Sequence, residues 1–179
     1  MIEPIEIPDA TTQPAEYVTA LLRTLGDRDP LEVYERTAEA VRRLCQDLDE
    51  AGWRRPMAPG ERSPLQVVGH LFDVDVVYGF RWRLALTEDT PEYPGYDEKA
   101  WSQLARPAPQ RLLDAFAALR DANSALLRSL SEADLRRSAI HAEQGSEDLQ
   151  RMIDKVAGHD LAHLNQLERT ILAGRAEQP

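Results

Sequence analysis

The chain has 179 residues, 42% of them hydrophobic and 29% charged, which suits one globular domain large enough to bury a core. With 31 acidic residues against 21 basic ones the formal charge is −10, which argues against unaided binding to phosphate backbones or anionic membrane surfaces. The single cysteine, Cys45, excludes an internal disulfide framework and a thiolate-rich metal cluster, so any metal here must rely on His, Asp or Glu.

The opening stretch, MIEPIEIPDATTQPAEY, has neither a basic n-region nor an apolar h-region, and no later apolar run approaches the length of a bilayer span. A soluble cytoplasmic protein with no nucleic-acid or membrane partner is expected. A short helix is predicted from about Ala15 to Leu25. The first long helix starts at DPLE, with Asp29 as N-cap, Pro30 at the first helical position and Glu32 at the third. Tyr34, Thr37, Ala38, Val41, Leu44, Cys45 and Leu48 then recur at helical spacing until Gly52, in EAGW, stops the pattern. SPLQ repeats the device with Ser63, Pro64 and Gln66. It opens a second helix to about Leu86, with Val67, Val68, Leu71, Val74, Tyr78, Trp82 and Ala85 on one side.

The following link, TEDTPEYPGYDEKAWSQLARPA, is about 22 residues long, which exceeds an ordinary helix connection and marks a functional crossover. Pro91, Pro94, Gly95 and Pro107 keep it from becoming one helix, and Tyr93, Tyr96 and Trp101 suggest that it packs on something. A third helix is predicted from about Pro109 to Leu130. RSAIHA alone hints at a strand. The fourth helix, expected to begin near Ser146, carries Leu149, Met152, Ile153, Val156, Leu164, Leu167 and Ile171. The expected fold is therefore an all-α four-helix bundle with a long crossover between its second and third helices.

The fourth helix contains GHDLAHLNQL, with His159 and His163 four residues apart. A four-residue step advances about 400°, so both imidazoles leave from nearly the same side, one turn apart. His163 lies about 40° and His159 about 80° from the line of Leu149, Val156 and Leu167, at the edge of the buried stripe. Asp160 falls near the middle of that stripe and needs a partner, either an arginine or a metal-bound imidazole. An open metal centre commonly has three protein ligands, and His70, beside Val74 on the second helix, is the best third. His141 lies in an irregular segment where nothing points it inward. Asp73, three residues after His70, reads as a base, as an acid behind a ligand, or as a solvated surface group. Asn123, on the apolar stripe of the third helix, reads as a pocket group or a bonded core amide. Cys45, Tyr78 and Trp82 read as core.

GHLFDVD followed far downstream by HDLAHLNQL resembles the histidine pattern of the DinB/YfiT-like superfamily of metal-binding four-helix bundles. The resemblance runs from about Gly26 to Leu172 within a single domain of residues 1–179. RWRLALTEDTPEYPGYDEKAWSQLA, from Arg81 to Ala105, is similar to the YfiT-like branch, described as metal-dependent hydrolases and related to bacillithiol transferases. IHAEQG, from Ile140 to Gly145, resembles that branch's IHPEHG-like segment, with Ala142 and Gln144 where the branch has proline and histidine, which weakens an active role there. The resemblance implies that His70, His159 and His163 are the metal ligands, that the bundle connectivity is unusual and that the protein is a homodimer.

Three neutral imidazoles leave the charge of a divalent ion, zinc by abundance or nickel, uncompensated, so a bound thiol or water is acidified. The expected activity is transfer of a low-molecular-weight thiol, such as bacillithiol or mycothiol, to an electrophilic small-molecule substrate. The alternatives are hydrolysis by metal-bound hydroxide and a non-catalytic metal-binding bundle. Asp73 and Asp160 are the candidate catalytic or ligand-supporting carboxylates, with Glu98 as a further proton carrier. Tyr96, Glu98, Trp101 and Asn123 are the candidate substrate-binding residues.

Overall fold

Proline and side-chain caps start the long helices of the computed structural model, which describes residues 2–176. Asp29 accepts the backbone N–H groups of Leu31 and Glu32 and so caps α2 (Pro30–Cys45). The Ser63 N–H donates to Gln66 Oε1 at 2.9 Å where α4 (Pro64–Thr87) begins. The other two bundle helices are α6 (Pro109–Arg128) and α8 (Leu149–Ala176). α1 (Pro14–Leu25) lies along α8. Among the described residues no helix is long and apolar enough to cross a membrane.

Two predicted helix ends need correction. α2 stops at Cys45, and Gly52 sits inside a separate short helix, α3 (Glu50–Arg54), whose start is capped by Asp49 through the Gly52 N–H. A good cap outweighs one helical glycine, which costs only about 1 kcal/mol. Ser146 lies not in the last helix but in a strand. β2 (Ser138–His141) and β3 (Gly145–Asp148) form a hairpin with Ser138 opposite Asp148 and His141 opposite Gly145. Gly145 takes a φ of +79°, which favours glycine at the turn. β1 (Glu92–Tyr93), in the crossover, adds parallel to β2 and completes a three-stranded sheet. The crossover also carries α5 (Glu98–Ser102), and α7 (Glu132–Leu135) follows α6.

In the bundle α2 packs on α8 and α6, and α4 packs on α6 and α8. The consecutive helices α2 and α4 therefore face each other across the diagonal, unlike those of an up-down bundle. Two apolar clusters fill the interior. One gathers Val41, Cys45, Trp53, Leu71, Phe116 and Leu167; the other gathers Tyr34, Trp82, Leu149, Met152 and Val156.

All four bundle helices meet at Arg120. Its buried guanidinium donates to Asp75 of α4 at 2.8 Å, to Asp160 of α8 and to the Tyr34 carbonyl of α2 at 2.8 Å. It also lies 3.7 Å from the centre of the Tyr34 ring. Two carboxylates on one cation are tolerated here because Tyr34 Oη donates to Asp75 as well.

Candidate metal centre

The contact between α4 and α8 brings His70 of α4 against His159 and His163 of α8, although 89 residues separate His70 from His159. The ring centroids are 4.9 Å apart for His70 and His159, 4.6 Å for His70 and His163, and 4.2 Å for the helical pair. One nitrogen from each ring lies within 4.8 Å of the others, and among the described residues no carboxylate or thiolate joins the group. His70 Nε2 and His159 Nε2 are 2.9 Å apart. His163 Nδ1 faces Gln166 Oε1 at 2.8 Å, an oxygen that can only accept, so Nδ1 holds the proton and Nε2 is left with a lone pair.

Small residues bring the neighbouring elements close. A Cβ on Gly158 would stand 2.1 Å from the Leu21 carbonyl oxygen, so the glycine before His159 lets α1 seat directly on α8. A Cβ on Gly69 would stand 2.8 Å from Arg106 Nε. Arg106 crosses that bare position and clamps Asp73, one turn on, through two hydrogen bonds. Arg106 also donates to the Trp101 carbonyl at 3.1 Å, which holds α5 against α4.

Electrostatics keep the imidazoles neutral. Burial pushes His70 and His159 well below the ordinary histidine value; His70 is lowered further by His163, His159 and Arg62, and His159 by His163 and Arg62. Burial, followed by Arg62, lowers His163 to about 4. Neutral imidazoles with converging lone pairs are the form a divalent cation requires. Bonds of roughly 2.0–2.1 Å at a tetrahedral angle would set ligand nitrogens about 3.4 Å apart, only a few tenths of an ångström beyond the His70 to His159 spacing. The three residues fit a metal ion.

The remaining sequence candidates divide. Asp73 is buried and bound to Arg106, so it is neither a solvated acid nor a group held against an imidazole. Asp160 is taken by Arg120, while His159 Nδ1 is buried without a partner, so Asp160 does not support that ring. Asn123 lies away from the triad as a tie between α6 and α4, donating to the Asp75 carbonyl and accepting from Arg83, both at 3.1 Å. Glu98 does reach the site, with Oε1 3.7 Å from His70 Nδ1 and an ion pair to Arg62. Tyr96 and Trp101 pack together at 5.0 Å between centroids. Cys45 is buried in the core, where burial pushes its thiol up to about 12, consistent with inert packing.

His141 is not in an irregular segment, and it does point inward. It is buried on β2, its ring 5.3 Å from that of Tyr93, and Nδ1 accepts the Glu143 N–H. Nearby, the fully buried Lys155 pairs with Glu147, which also accepts from Tyr93 Oη. Lys155 lies one turn before His159, a spacing that could have signalled it. Arg62 was also missed. The Tyr17 phenol of α1 is pushed well up by burial and then by Tyr78, Glu98 and Tyr96.

The sequence pattern described as the DinB superfamily matches residues 34–167. The protein named "Putative metal-dependent hydrolase YfiT" of Bacillus subtilis is 27% identical over 146 residues, covering 78% of this chain and 82% of its own. A Bacillus licheniformis protein of the same "Putative metal-dependent hydrolase" description is 33% identical over 132 residues, covering 66% of this chain and 75% of its own. The solved YfiT structure, described as "a probable metal-dependent hydrolase with an unusual four-helix bundle topology", superposes with a TM-score of 0.72 at 24% identity. The match covers 97% of this chain and 92% of that one, and it supports the diagonal connectivity seen here.

Proposed function

The chain belongs to the DinB superfamily, and on that premise we propose that it is a divalent-metal-dependent enzyme whose ion is held by Nε2 of His70, His159 and His163. The observation that carries this reading is the convergence of three neutral imidazoles with no fourth protein donor among the described residues. A structural ion would want a closed ligand set, so the three-donor arrangement favours chemistry over a purely structural role. When bound, the ion supplies a Lewis-acidic open position that lowers the pKa of a water or thiol placed there.

The reaction we favour replaces a leaving group on an electrophilic small molecule by a low-molecular-weight thiol, the S–H proton departing with the displaced group. Its support is the fate of the acids: Asp73 and Asp160 are locked in arginine pairs, and Glu98, the carboxylate that reaches the site, is itself paired with Arg62. The crossover segment that carries Glu98 to His70 also presents Tyr96, packed against Trp101. Burial raises the Tyr96 phenol, so it stays protonated and can orient a cosubstrate by a hydrogen bond. Hydrolysis is the second reading, favoured by the names of the relatives.

Metal analysis should find tight binding that His70→Ala, His159→Ala or His163→Ala each reduces sharply, with His141→Ala unaffected. Anaerobic titration of the cobalt form with bacillithiol, mycothiol, glutathione and cysteine then separates the reactions. A saturable sulfur-to-metal charge-transfer band supports thiol transfer and names the cosubstrate. Metal uptake with no band from any thiol moves the weight to hydrolysis.

A further inference from the structure

We infer that Glu98 is a positioning residue for His70, and that the crossover's tertiary anchors exist to hold it there; this rests on the metal reading above. His70 turns Nε2 towards His159, which leaves Nδ1 facing out of the triad. Behind it stands Glu98 Oε1, at 3.7 Å. Among the described residues no other carboxylate comes within 4.0 Å of any of the three imidazoles. His163 has the Gln166 amide oxygen behind it and His159 has nothing, so the three rings differ in what orients them.

A carboxylate behind a ligating imidazole keeps the proton on the far nitrogen, fixes the ring and makes the near nitrogen a stronger donor. At 3.7 Å the present contact is electrostatic, and a small rotamer change of the half-exposed Glu98 side chain closes it to a hydrogen bond. The same Glu98 oxygen, Oε1, also accepts from Arg62, which holds it beside His70.

Its backbone is placed with unusual care for a residue in a long link. Asp97 caps α5 by accepting the Ala100 N–H at 2.8 Å. Downstream, Arg106 fastens the Trp101 carbonyl to Asp73, in the slot that Gly69 leaves open. Upstream, β1 is hydrogen-bonded into the sheet, and the buried Arg81 donates to the Pro94 carbonyl at 3.0 Å. The link is thus fixed to α4 on both sides of Glu98. The Asp73 and Arg106 pair, which does not touch the triad, gains a purpose as the anchor of the segment that does.

The test is metal affinity of the full-length protein, stripped by chelation and titrated with zinc against a competing chelator, together with the visible spectrum of the cobalt form. Glu98→Ala should weaken zinc binding roughly 10- to 100-fold and shift the cobalt bands. Glu98→Gln, which keeps an oxygen to accept from Nδ1–H, should retain most of the affinity. Asp73→Asn should weaken binding in the parent background but add little in the Glu98→Ala background, because both act through one contact. Wild-type affinity in Glu98→Ala, beside loss of metal in His70→Ala, overturns this role and leaves the metal reading standing. Equal losses in Glu98→Ala and Glu98→Gln, at unchanged melting temperature, overturn the hydrogen bond as the cause. A parent protein that takes up no zinc overturns the metal reading and this one with it.

Discussion

Each imidazole of the triad is kept neutral by burial, and that has a measurable cost in acid. His163 titrates near 4 in the folded chain, against an ordinary value of 6.5. Between those values the unfolded chain binds more protons than the folded one, so this residue's contribution is complete above pH 6.5 and is lost as pH falls towards 4. Metal-free protein followed by urea unfolding at several pH values should therefore lose less stability over this window when it carries His163→Gln. An identical pH profile for both would show that His163 is not buried as described. Arg120 makes the opposite kind of claim, because its removal leaves Asp75 and Asp160 buried and unpaired. Arg120→Met is expected to cost about 3–5 kcal/mol, read as a fall in the urea midpoint.

The helices were legible where a side chain closes a local hydrogen bond. Asp29 and Ser63 mark their starts because capping involves residues two or three apart. Helix ends were less so. Gly52 read as a stop and is a helical residue, since Asp49 caps the turn that contains it. Ser146 read as helix and is strand, because β3 is fixed by pairing with β2 rather than by its own propensity. The glycines of the two histidine segments show the same division. Spacing identified the histidines, whereas the need for Gly158 comes from the backbone of a helix more than 130 residues earlier in the chain. Gly158→Ala must push α1 off α8 and is predicted to cost about 1–3 kcal/mol, or more if α1 detaches. Chemical denaturation measures the cost, and easier proteolysis within α1 would report the detachment.

The whole molecule is expected to fold without an ion. Its two apolar clusters and the Arg120 network tie α2, α4, α6 and α8 together independently of the triad. Chelation should accordingly leave the far-ultraviolet helical signal intact. Restoring zinc at about 100 times its Kd should add roughly 2.7 kcal/mol of stability, seen as a concentration-dependent rise in Tm. Loss of the helical signal on chelation would instead make the ion structural and weaken the enzymatic proposal.

The sequence by itself determined the four long amphipathic helices, the long link and the three histidines. The helices and the link follow from periodicity, capping and composition within a few turns of chain, spacing singled out His159 and His163 with His70 as a candidate third, and the resemblance to the DinB/YfiT-like pattern completed the triad. The tertiary structure alone decided the partners of the acids. Asp160 was legible as buried, but its arginine is 40 residues away, and Asp73 meets Arg106 only because the crossover folds back over Gly69. A buried charge demands a counter-charge without specifying which, so the choice falls to whichever element the fold brings near. In this chain that choice tied two acids to arginines and put Glu98, with its partner Arg62, beside the histidines.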